Sequence, residues 1–124
     1  MAETARSVVT VELDPERFPI ARERLAGLAN VELLEGDAYE LLPGRGPFGL
    51  VFADGGIREH GAGAWETVVS ITAVGGLIVK DDMTPGRPVE GDEIREFLFR
   101  DSRLAAAEIL VSSEMAVIVA ARLR

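Results

Sequence analysis

The stretch Val8-Val9-Thr10-Val11-Glu12-Leu13-Asp14-Pro15 decides how the chain is read. Its β-branched first half favours a strand, and it turns acidic where that strand would end. Asp14-Pro15 then has the pattern of a helix cap followed by Pro at the first helical position. Phe18, Ala21, Leu25 and Leu28 recur at spacings of three and four, one face of a helix that Asn30 would stop. The same order returns downstream. Val31 to Leu34 is a second strand, closed by Glu35-Gly36-Asp37. Leu50 to Ala53 is a third, ending at Asp54-Gly55-Gly56. Trp65, Val68, Val69 and Thr72 mark a helix that Gly75-Gly76 would end, with Trp65 in the core. Leu77 to Val79 is a fourth strand, running into Lys80-Asp81-Asp82. A helix from Asp92 to about Arg100 turns Ile94, Phe97 and Leu98 inward. Ala105 to Val111 and Met115 to Ala121 flank Ser112-Ser113 as an antiparallel hairpin. Strands alternating with helices imply an α/β fold: a mostly parallel sheet, helices on both faces, and an antiparallel hairpin at its end.

Composition bounds the function. A chain of 124 residues that is 48% hydrophobic is one globular domain, 1–124, with room for a core. Its 13 Lys+Arg against 21 Asp+Glu give a net charge of −8, which repels a phosphate backbone and an anionic membrane. No nucleic acid and no membrane partner is therefore expected. The absence of Cys removes disulfides, thiolate zinc sites and cysteine nucleophiles. With neither a signal pattern nor a membrane-spanning apolar run, the expected location is cytoplasmic.

Ligands of an open α/β sheet bind outside the carboxyl ends of its strands, and each of the four strands before the hairpin delivers a carboxylate there. Glu12 stands at the first, Asp37 at the second, Asp54 at the third, and Asp81 and Asp82 at the fourth. A carboxylate such as Glu12 can accept hydrogen bonds from both hydroxyls of a ribose. Taken alone it is better read as a solvated acid, and Asp14 as a helix cap. If the third and fourth strands are neighbours, Asp54, Asp81 and Asp82 converge, which calls for a cation or a proton. Oxygen ligands favour Mg²⁺, Ca²⁺ or Mn²⁺. Gly44-Arg45-Gly46-Pro47-Phe48-Gly49 spells G-x-G-x-x-G but precedes a strand, so it is a turn. His60, the lone histidine, reads as solvated in a Gly-rich loop.

Taken together, Val8 to Pro15, Leu34-Glu35-Gly36-Asp37-Ala38, Val51-Phe52-Ala53-Asp54 and Gly75-Gly76-Leu77-Ile78-Val79-Lys80-Asp81-Asp82 resemble class I S-adenosylmethionine-dependent methyltransferases. The nearest likeness is to the catechol and caffeoyl-CoA type O-methyltransferases, and it spans the chain from about Val8. The resemblance implies a Rossmann-like fold and methyl transfer to a hydroxyl of a small-molecule acceptor. It implies that Glu12, Asp37, Ala38 and Asp54 bind S-adenosylmethionine, Glu12 at the ribose and Asp37 and Ala38 beside the adenine. It also places Asp54, Asp81 and Asp82 where that family holds Mg²⁺ or another divalent cation, with Asp82 in place of the usual Asn. The metal would lower the pKa of the attacking hydroxyl and orient it.

Two departures qualify what is carried over. The family's general base, a Lys three positions after the first metal Asp, is Ile57 here, and neither Arg58 nor His60 replaces it, so the catalytic base is unassigned. The family's first strand, Gly-rich loop and helix have no counterpart before Val8. That strand would lie between the strands Val8 to Leu13 and Leu50 to Ala53. The expectation is a chain lacking its first βα unit, with Met1 to Arg6 as the tail of the missing helix, that binds the cofactor weakly or not at all alone. The alternative is a non-catalytic α/β domain whose incomplete sheet binds a partner or forms a homodimer. A nicotinamide dehydrogenase fails for want of a placed Gly-rich loop, while an isoaspartyl or RNA-modifying methyltransferase stays open.

Overall fold

The computed structural model describes residues 4–124, apart from the side chain of Arg58. The reading of Met1 to Arg6 as a helix tail falls partly on residues 1–3, outside the described residues. The backbone divides into two compact units, one reaching Leu42 and the other starting at Pro43.

The first unit contains β1 (Val8–Glu12), α1 (Phe18–Leu25), β2 (Val31–Glu35) and the short α2 (Ala38–Leu41). β1 and β2 pair in parallel, Val8 opposite Val31 and Glu12 opposite Glu35, so both carboxyl ends lie at one edge. α1 starts later than Asp14-Pro15 suggested. The Asp14 carboxylate accepts from the Glu16 amide at 2.8 Å, an Asx-type turn that precedes the helix instead of capping it. Arg17 is the residue before the helix, and its first turn contains Pro19. No described residue of this unit is fully buried.

The second unit carries the core. Its elements are β3 (Phe48–Ala53), α3 (Ile57–His60), α4 (Ala62–Ile71), β4 (Thr72–Met83), α5 (Glu93–Arg100), β5 (Leu104–Leu110) and β6 (Ala116–Arg122). The sheet order is β3-β4-β6-β5, with β3 parallel to β4 and the other two pairs antiparallel. The hairpin β5–β6 turns at Ser112, whose Oγ accepts from the amides of Glu114 and Met115 at 3.2 and 3.1 Å.

On one face of this sheet Ala53, Ile78, Ile118 and Ala120 are buried, together with Trp65, Val68 and Val69 of α4 and Ile94 and Leu98 of α5. Each fully buried Leu, Ile or Val side chain is worth about 1.5–3 kcal/mol, so this face is where the unit's stability is concentrated. Trp65 stacks on Phe97 with centroids 4.8 Å apart and 11° between planes, joining the two helices. The opposite face is apolar and open: Leu50, Phe52, Leu77 and Ile109 are 40–50% exposed.

Among the described residues the strands form two sheets, and no ladder joins β1 to β3. One expectation about a helix end needs correction. Gly75-Gly76 does not end a helix. α4 stops at Ile71, and β4 starts at Thr72 and contains both glycines, Gly75 at φ 79°, with its register against β3 shifting between Phe48 and Leu50. The Thr72 hydroxyl donates back to the Val68 carbonyl at 2.7 Å, and Arg122 donates to the Val69 carbonyl at 2.8 Å and to that of Thr72, so side chains close the helix.

Candidate functional site

In the first unit the carboxyl ends of β1 and β2 bring Glu12 and the turn Glu35-Gly36-Asp37 to one edge, tied by the Gly36 amide donating to the Glu12 carbonyl at 3.0 Å. The Glu12 side chain is half-buried, and its Oε1 accepts from the Asp14 amide at 2.9 Å. That bond orients the carboxylate and leaves acceptor capacity on its other oxygen. Asp37 caps α2, its Oδ1 accepting from the Tyr39 amide at 2.8 Å. Ala38 opens that helix, half-buried. A ribose-type diol at this edge fits Glu12, while Asp37 is already engaged in turning the chain.

In the second unit the ends of β3 and β4 open on a pocket of about 230 Å³. Asp54, Glu59, Lys80 and Asp82 supply its polar lining, and Ile57, Met83 and Ile94 its apolar wall. α3 starts at once after Asp54-Gly55-Gly56, Gly56 adopting φ 76° to turn the chain into it. His60, expected in a loop, closes this short helix and is exposed.

Asp82 is the only described non-glycine residue with positive φ, 56°. It sits where the β4–β6 register shifts between Lys80 and Met83. Asp and Asn tolerate this conformation better than other side chains, and such bulges re-aim side chains at sheet ends. The conformation accounts for an Asp or Asn at this position without any ligand.

The residues expected to hold a metal do not fit one. Among the described residues no group of three His, Cys, Asp or Glu is arranged to hold a metal ion. Asp54 and Asp82 line the pocket, whereas Asp81 does not. Asp81 follows the inward Lys80 on an alternating strand, so its side chain leaves on the other face.

Sequence reasoning missed two cations here. Lys80, 6% exposed, donates to the main-chain carbonyls of Asp54 at 3.0 Å and Asp81 at 2.6 Å. Its position two residues after the buried Ile78 was the available signal, since alternate strand residues share a face. Arg95, 1% exposed, bonds Asp92 at 2.7 Å, Glu108 at 2.7 and 3.0 Å, and the Thr84 carbonyl at 2.7 Å. Burial alone would lower its pKa, but the hydrogen bonds it donates to Glu108 and Asp92 outweigh that and hold the guanidinium charged. The same network keeps the Asp92 carboxyl below the usual carboxylate range: burial raises it, and bonds from Arg95 overcome that. Arg95 thereby anchors Thr84, the residue after the pocket-lining Met83.

No described helix is long and apolar enough to cross a membrane. No protein-family model matches the chain, and no curated protein matches it. Solved structures do. Cofactor-bound Rv0187 from MTB is 25% identical with a TM-score of 0.74, over 95% of this chain and 62% of that one. An rRNA methylase from Streptococcus thermophilus is 21% identical with a TM-score of 0.76, over 99% of this chain and 77% of that one. The SAH-bound methyltransferase PaMTH1 from Podospora anserina is 22% identical with a TM-score of 0.68, over 94% and 60%. The chain thus spans about three-fifths of the Rv0187 and PaMTH1 structures, and its α/β fold is the one found in methyltransferases.

Proposed function

We propose that this chain carries adenosine-binding and acceptor-binding elements of an S-adenosylmethionine-dependent methyltransferase acting on a hydroxyl of a small molecule. The observation that carries the reading is the half-buried, pre-oriented Glu12 carboxylate at a strand end of a fold shared with cofactor-bound and SAH-bound structures. In this reading Glu12 accepts hydrogen bonds from the ribose hydroxyls. Ala38 borders the adenine with the Asp37 turn. The bound cofactor supplies a methyl group on a positive sulfonium. The pocket beside Asp54 has an apolar wall and four charged groups, suited to a small acceptor with one ionisable oxygen. Placing that oxygen and excluding water would provide most of the rate.

Calorimetric titration of S-adenosylhomocysteine into the purified chain tests this reading. Weak but saturable 1:1 binding is expected. Glu12→Ala should weaken it by about 10- to 100-fold, the value of hydrogen bonds to a charged group. A folded chain that shows no heat at millimolar ligand overturns the reading, as does binding that Glu12→Ala leaves intact.

One observation favours a second reading, in which the chain is a non-catalytic domain that self-associates. The open apolar face carrying Leu50, Phe52, Leu77 and Ile109 lies beside β3, an edge strand with no partner on its outer side among the described residues. Such surfaces favour association. Light scattering should then give the mass of a dimer that Phe52→Lys returns to monomer, and a wild-type monomer at all concentrations discards this reading.

A further inference from the structure

The pocket at the ends of β3 and β4 holds a positive charge of its own. Lys80 reaches it from within the sheet, almost wholly buried, and its ammonium binds the carbonyl oxygens of Asp54 and Asp81. Those strand-end carbonyls, with the carboxylates of Asp54 and Asp82 nearby, are the hard oxygen donors a divalent cation would seek. Two of the donors are taken by Lys80, and the three aspartates form no ligand set. An ammonium in this position repels a second cation while neutralising part of the carboxylate charge.

We propose that Lys80 is the resident cation of this pocket: its fixed ammonium excludes a divalent metal and supplies the positive charge that an acceptor oxygen would face. The second half of the proposal rests on the methyl-transfer reading; the exclusion of metal does not. An acceptor hydroxyl that lost its proton to solvent water would carry a negative charge on oxygen that a nearby fixed positive charge stabilises without reorganisation. That oxygen would bond the methyl carbon as the carbon–sulfur bond of a bound cofactor breaks and its sulfonium becomes a neutral thioether. Lys80 acts here as a positioning residue, through charge and through its hold on two strand ends.

The test uses Mn²⁺ as the probe and electron paramagnetic resonance to count bound ions, with circular dichroism to confirm folding. The wild-type chain should show no stoichiometric Mn²⁺ site. Lys80→Met, which keeps the length and removes the charge, should gain a site at least tenfold tighter, and Asp54→Asn in that background should abolish it. One tightly bound Mn²⁺ per wild-type chain overturns the proposal, as does a folded Lys80→Met variant that gains nothing. If Lys80→Met does not fold, Lys80→Arg decides: with its charge kept it must still reject Mn²⁺, and a site in this variant refutes the exclusion. Because no arm requires S-adenosylmethionine, failure of the methyl-transfer reading appears separately, in the S-adenosylhomocysteine titration.

Discussion

Arg95→Met is expected to lower stability by about 3 kcal/mol, the low end of the cost of breaking a buried ion pair by removing one partner. The low end applies because the partner side chains of Asp92 and Glu108 are 17% and 22% exposed and keep some contact with water. For a chain of this size the melting temperature should fall by about 10 °C. Most of the loss comes from what Met cannot satisfy: two carboxylates without a cation and the Thr84 carbonyl without a donor. Arg95→Met/Glu108→Leu should therefore recover part of the loss, since a neutral apolar pair leaves fewer charges stranded. Thermal melts of the three proteins decide this. A single variant within about 1 kcal/mol of wild type would show that Arg95 is not the anchor its burial indicates.

The second large effect is expected at Gly76. A Cβ there would stand 2.8 Å from the Ala73 carbonyl and 3.1 Å from the carbonyls of Phe48 and Gly49. All three are backbone atoms, so no flexible side chain can yield, and β3 and β4 would be forced apart. Gly76→Ala should cost about 3 kcal/mol, the upper end for overpacking. Gly49 is the control. Its Cβ would meet nothing within 4 Å. Gly49→Ala should be neutral, or stabilising by about 0.4–1 kcal/mol through a less flexible unfolded chain. Urea unfolding curves for the pair test the contrast; equal stabilities would refute the close approach.

The candidate site was legible in part. Glu12 ends β1 and Asp37 follows the end of its parallel partner β2, as the local strand-end pattern places them. Asp54 and Asp82 were likewise found at the rim of one pocket. The expectation that Asp81 joins them failed because alternation along β4 sends it away from its neighbours, and the turn at Asp82 re-aims that residue independently. Lys80 went unnoticed because it was read as part of an acidic strand end. Its burial follows from the parity it shares with Ile78, and Ile118 lies opposite it on β6.

The sequence by itself determined the order of the strands and of α1, α4 and α5, the closing hairpin, the inward face of α5 and the carboxylates at the strand ends. These follow from periodicities of two and 3.6 residues and from turn chemistry, all of it local. Only the tertiary structure decided that β1 and β3 belong to separate sheets, that α4 passes into β4 at Thr72, and that Lys80 and Arg95 are buried cations. Those outcomes depend on which strands pair and in which register. Pairing is set by contacts between residues far apart in the chain, which a local pattern does not encode.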